Sequence, residues 1–73
     1  MDYLYHAKPG EDGSLNPASW VSVSAESTSQ AVQTALGKEA SARPTVLYLS
    51  VGTARYANGA PICVCKYSVK LGN

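Results

Sequence analysis

The chain has 73 residues, a formal net charge of +1, 45% hydrophobic side chains and 15% charged ones. A chain of this length holds one core, which excludes two domains facing each other across a deep active-site cleft. Its composition is too apolar for a disordered segment and too polar for a membrane span, and its near-neutral charge excludes a bulk electrostatic binder of nucleic acid or an acidic mimic of DNA.

Tyr3 to Lys8 is rich in aromatic and β-forming residues and stops at Pro9-Gly10, which predicts a first strand ended by a turn. Gly10 to Ser19 has the Gly, Asp, Ser, Asn and Pro content of an exposed loop joining two antiparallel strands. Trp20 to Ala25 alternates, placing Val21, Val23 and Ala25 on one face and Trp20, Ser22 and Ser24 on the other, where they are expected to meet solvent or a partner. Ser27-Thr28-Ser29-Gln30 then reads as a capping box. The Ser27 hydroxyl accepts from the Gln30 amide while the Gln30 side chain reaches back, and a helix begins.

Ala31, Val32, Ala35, Leu36 and Ala40 recur at helical spacing, a narrow stripe of small residues that lets a helix lie close on a sheet. Gly37 fits either a cap or the helix interior, and Ala42-Arg43-Pro44 closes the element. Thr45 to Val51 is the strongest strand pattern. Asn58-Gly59 predicts a two-residue type I′ hairpin, with Ile62 to Leu71 as the return strand.

A strict two-residue turn would set Leu49 opposite Ser68 and Val51 opposite Lys66, wasting apolar surface. One extra residue near Gly52-Thr53 would instead gather Leu47, Leu49 and Val51 with Val69, Tyr67 and Cys65. The expectation is therefore a β-bulge near Gly52, or else a hairpin with both faces partly covered, one by the helix and one by a second subunit. The whole is a single α+β domain over residues 1–73, a four-stranded antiparallel sheet with one helix on one face in the order β-β-α-β-β. Strands are expected at about 3–8, 20–25, 45–56 and 61–71, and the helix at about 28–41.

The sequence carries little recognisable chemistry. The one histidine, His6, falls on a strand at the sheet surface and has no nucleophile elbow beside it. Asp2, Glu11, Asp12, Glu26 and Glu39 lie in termini, loops or helix edges, where they read as solvated charge. Cys63 and Cys65 would form a strained mutual disulfide, and on a regular strand their sulfurs stand too far apart for a shared zinc. They are expected to be reduced, buried thiols on the helix-facing side, with no metal, no cofactor and no catalytic residue in the chain. Gly37-Lys38 is followed by Glu39, so no phosphate loop is present.

A contact surface is better marked. Lys66, Ser68 and Lys70 alternate opposite Cys65, Tyr67 and Val69, with Arg55 across the hairpin. This is either a cationic strip for phosphate or an acidic protein surface, or an edge strand guarded by lysine against aggregation. Tyr56 and Trp20 join Lys66, Lys70 and Arg55 as the expected partner-binding residues, because tyrosine and tryptophan dominate interface hot spots. Met1-Asp2-Tyr3-Leu4-Tyr5-His6 lacks the basic start and long apolar run of a secretion signal, so the expected location is the cytoplasm of the host cell, away from membranes. A core this small supplies only a few kcal/mol, and oligomerisation, a homodimer included, is the expected supplement.

The order strand, strand, capped helix, long hairpin runs from Tyr3-Leu4-Tyr5 through Ser27-Thr28-Ser29-Gln30 to Lys66-Tyr67-Ser68-Val69-Lys70. It resembles the small phage-encoded anti-CRISPR proteins, especially those acting on type I-F surveillance complexes. That resemblance implies a non-enzymatic inhibitor which binds a Cas protein or complex stoichiometrically and blocks target DNA, without sequence-specific contacts to nucleic acid of its own. From Val21 to Val69 the chain is also similar to dodecins, which implies as the alternative an oligomeric flavin-binding protein. It departs from that family in its extra strand at Tyr3 to Lys8 and in the position of Trp20.

Overall fold

The computed structural model describes residues 1–52 and 54–69. Four strands, β1 (Asp2–His6), β2 (Val21–Ser24), β3 (Val46–Val51) and β4 (Cys65–Ser68), form one antiparallel sheet in the spatial order β2-β1-β3-β4. Helix α1 (Thr28–Lys38) connects β2 to β3, and short 3-10 turns stand at Pro17–Ser19 and Ala40–Ala42. The expected α+β architecture and β-β-α-β-β order are present. The strands are shorter than the sequence pattern suggests: β3 ends at Val51 and not near 56, and β4 begins at Cys65 and not near 61. Positions 70 and 71 of the expected last strand lie outside the described residues. No helix among the described residues is long and apolar enough to cross a membrane.

The helix starts where its cap dictates. Ser27 Oγ accepts from the Gln30 amide at 3.2 Å, while Gln30 Oε1 reaches one residue further back than the capping box requires, accepting from the Glu26 amide at 2.6 Å. Gly37 is inside the helix, and Glu39 is its C-cap. Ala31 and Ala35 are fully buried, so the helix axis sits close to the sheet, and Ala40 at the end of the predicted stripe is exposed. Beneath the helix, Tyr3 pairs with Val23, Tyr5 with Val21 and with Leu49, and Leu47 with Tyr67, so all of these project from the same side of the pleat. Tyr3, Tyr5, Leu47 and Leu49 are each no more than 2% exposed. Burial of each such side chain is worth roughly 1.5–3 kcal/mol, and these four make most of the core.

The opposite face carries no helix, and its edges at Ser22, Ser24, Lys66 and Ser68 are exposed, yet its centre is not solvated. Leu4, His6 and Ser50 point to that side and are as deeply buried as the core, and Trp20 is buried with them. Two loops provide the cover. The end of the first loop brings the Asn16 backbone against His6, and the connection between β3 and β4 meets it where Gly59 approaches the Pro17 ring, a Cβ built on Gly59 lying 3.6 Å from Pro17 Cβ. The expectation that Trp20 faces solvent or a partner is therefore corrected. Its ring stacks edge-on against His6 with centroids 5.3 Å apart, because the loop beside it closes over both. His6, expected at the sheet surface, is buried for the same reason.

The hairpin register resolves the conflict in the sequence. Leu47 faces Tyr67 and Leu49 faces Cys65, the face-sharing that a bulge was invoked to supply. The whole connection after β3 sets the register. Gly52 turns the chain out of the sheet at φ +82, its amide still donating to the Asp2 carbonyl at 2.8 Å. A second, smaller hairpin follows, with Arg55 bridged to Pro61 and the Tyr56 amide donating to the Ala60 carbonyl at 2.7 Å. Its tip is not type I′. Gly59 has φ +92 while Asn58 keeps a negative φ, and the Gly59 amide closes the turn on the Tyr56 carbonyl. A turn followed by a left-handed glycine is the pattern of a slightly longer hairpin loop, and Asn58 serves it by accepting from the Ala60 amide through Oδ1.

Candidate protein-contact surface

The inserted segment from Gly52 to Val64 carries three of the six large apolar side chains that the described residues leave exposed, and a fourth stands beside it. Tyr56 is 58% exposed, Ile62 51% and Val64 40%, and Val51, at the end of β3 where the segment leaves, is 53%. Scattered single apolar residues are normal on a surface, but four concentrated in and beside one connection are not spread at random. Proline explains why they stay out. Pro61 is buried, bridges Arg55 and has no amide to give to a ladder; Ile62 and Cys63 then fall in a bend, and β4 begins only at Cys65.

Of the expected partner-binding residues, Arg55 and Tyr56 are exposed on this small hairpin and Lys66 is exposed on β4 opposite Tyr48. The Arg55 guanidinium partly closes its own loop, Nη1 donating to the Gly59 carbonyl at 3.2 Å. Trp20 lies apart from them and is buried, and Lys70 lies outside the described residues. Ile62 and Val64 were missed as surface residues because the pattern from 61 onward reads as strand. Pro61 was the signal that could have found them.

Cys63 and Cys65 are both free and exposed, against the expectation of buried thiols on the helix side. The register does put Cys65 on that side, opposite Leu49, but β4 is an edge strand and α1 lies over β2 and β3 without covering the start of β4.

At the C-terminal end of α1, a cleft of about 200 Å³ is lined by Tyr5, Ala7, Lys8, Ser19, Val21 and Glu39. There the Tyr5 hydroxyl donates to Glu39 Oε2 at 2.8 Å, and Lys8 Nζ stands 3.8 Å from Glu39 Oε1. Burial first, then the Glu39 carboxylate as hydrogen-bond partner and as charge, push the Tyr5 phenol up to about 12. A phenol held protonated is a donor, not a base, so this group ties the helix end to the central strand. On the opposite face, His6 Nδ1 accepts from the Lys8 amide at 3.3 Å, and burial holds the imidazole below its ordinary value with the Asn16 backbone carbonyl opposing. Among the described residues His6 Nε2 and Trp20 Nε1 find no hydrogen-bond partner. Among the described residues no group of three or more His, Cys, Asp or Glu side chains is placed to hold a metal ion.

No family model, no curated protein and no solved structure matches this chain.

Proposed function

We propose that this protein acts by binding another protein and not by chemistry of its own, through the segment between β3 and β4 and the start of β4. The observation that carries this reading is the outward placement of Tyr56, Ile62 and Val64 beside the cations Arg55 and Lys66. Apolar and aromatic anchors with a charged margin are the composition of an interface centre and its rim. The loop is also longer than the strands require, and long connections on a rigid sheet are where binding residues concentrate. As the partner we propose a bacterial defence complex of the CRISPR surveillance type, a choice that rests on the architectural resemblance of the chain to small phage inhibitors. In the alternative reading, flavin would need an aromatic platform, and Trp20 is already engaged with His6.

The test is gel-filtration co-elution of the purified chain with a purified type I-F surveillance complex, followed by binding of target DNA to that complex. Stoichiometric co-elution and loss of DNA binding are expected, and Tyr56→Ser with Ile62→Ser should abolish both. Absence of co-elution sinks the choice of partner. Co-elution that survives the double substitution sinks the choice of surface.

A further inference from the structure

Cysteine is among the most consistently buried residue types, yet the two in this chain are both exposed and stand two apart at the mouth of an edge strand. Neither contributes to the core, so packing does not account for them. From the structure we infer that Cys63 and Cys65 form a two-sulfur site for a soft monovalent cation, copper(I). Three features lead there.

The first is reach. On a regular strand the two Cα atoms would be about 6.6 Å apart with parallel side chains, but Ile62 and Cys63 lie in a bend and only Cys65 is within β4. The bend removes the enforced parallel alignment. Metal–thiolate bonds of about 2.3 Å place two sulfurs roughly 4.6 Å apart across a linear ion, a separation that rotation about the two Cα–Cβ bonds can reach. The second is ligand number. Among the described residues no third His, Cys, Asp or Glu joins the pair, so the four-ligand shell of structural zinc is not supplied, whereas thiolates select copper(I), which is content with two. The third is access. Both thiols are open to solvent, so the ion can be delivered and withdrawn without unfolding the chain.

Binding releases two protons, one from each thiol, and forms two copper–sulfur bonds with no change in oxidation state. The probe is copper(I) itself, held as its bicinchoninate complex under anaerobic, reducing conditions and titrated with the chain. One equivalent of protein should remove one equivalent of copper from the coloured complex, with X-ray absorption showing two sulfur neighbours per copper. Cys63→Ser and Cys65→Ser should each lose the competition while keeping the circular dichroism of the parent, since neither thiol is in the core. Failure of the parent chain to compete would overturn the site. So would undiminished binding by either single variant, or copper with more than two sulfur neighbours drawn from two chains.

Discussion

Tyr5 and Glu39 are joined by a 2.8 Å hydrogen bond between the phenol and the carboxylate, a tie from the central strand β1 to the residue that caps α1. The bond places a protonated phenol against a charge in a buried setting, and the phenol is pushed up to about 12 from its ordinary value of 10.0. A group whose proton is held more tightly in the folded chain adds stability that is complete below the unfolded value. Stability should therefore be lost as pH rises from about 10 to about 12. Spectrophotometric titration should show a tyrosine step at about 12 that is absent from Tyr5→Phe. Glu39→Gln should bring that step down, and Tyr5→Phe should cost about 1–2 kcal/mol in urea unfolding near neutral pH. A titration unchanged by Glu39→Gln would show that the carboxylate does not hold the proton.

His6 predicts the opposite pH dependence on the other face. Its imidazole is held below the ordinary value by burial, and Nδ1 already accepts from the Lys8 amide, so a proton added there would meet a donor. The neutral form is the one the fold favours. Stability is accordingly complete above the unfolded value of 6.5 and falls as pH drops below it toward the lowered folded value. Trp20, the chain's one tryptophan, reports the event because its ring lies against His6. Urea midpoints followed by its fluorescence should fall between about pH 7 and about pH 5, and His6→Phe should flatten that decline. An equal decline in His6→Phe would assign the effect to other groups.

The sheet and helix were legible because local pattern and tertiary context agree there. Val23 and Ala25 alternate onto the core, Ser27 caps the helix, and Ala31 and Ala35 are small where the sheet is close. The second face was illegible for a physical reason: a polar loop gives no periodic signal of what it covers. Asn16, Pro17 and Ser19 look like solvated punctuation, and only the fold shows the Asn16 backbone against the buried His6 that Trp20 packs on. The contact surface was half legible. Arg55, Tyr56 and Lys66 declare themselves by residue type, while Ile62 and Val64 resemble strand residues until the consequence of Pro61 is followed through.

Arg43 offers a test of local strain. It ends the 3-10 turn after α1 at φ 49 and ψ 59, the sole non-glycine residue at positive φ among those described, and it immediately precedes the buried Pro44. Left-handed backbone costs a residue with a Cβ roughly 1–2 kcal/mol, part of which glycine returns through its greater freedom when unfolded. Arg43→Gly should therefore stabilise the chain by about 0.5–1 kcal/mol, with a rise in Tm of a few degrees for a domain of this size. A fall in Tm would mean that the Arg43 side chain contributes more than its backbone conformation costs.

The last prediction separates surface from core within one chemical class. Leu47 is fully buried between Tyr5's strand and β4, whereas Ile62 is half exposed on the inserted hairpin, although both are branched aliphatic residues in apolar runs. Leu47→Ala removes packed methyl groups and leaves a cavity, an expected loss of about 2–5 kcal/mol, a large share of the stability of so small a domain. Ile62→Ser removes a side chain that the fold does not use and should change stability by no more than about 0.5 kcal/mol. Chemical denaturation of the two variants checks the pair directly. If Ile62→Ser destabilised the chain as much as Leu47→Ala, the inserted segment would be part of the core, and the proposed contact surface would lose its anchor. If Ile62→Ser is silent in stability, its apolar side chain has no role in folding, and the proposed contact surface keeps its anchor.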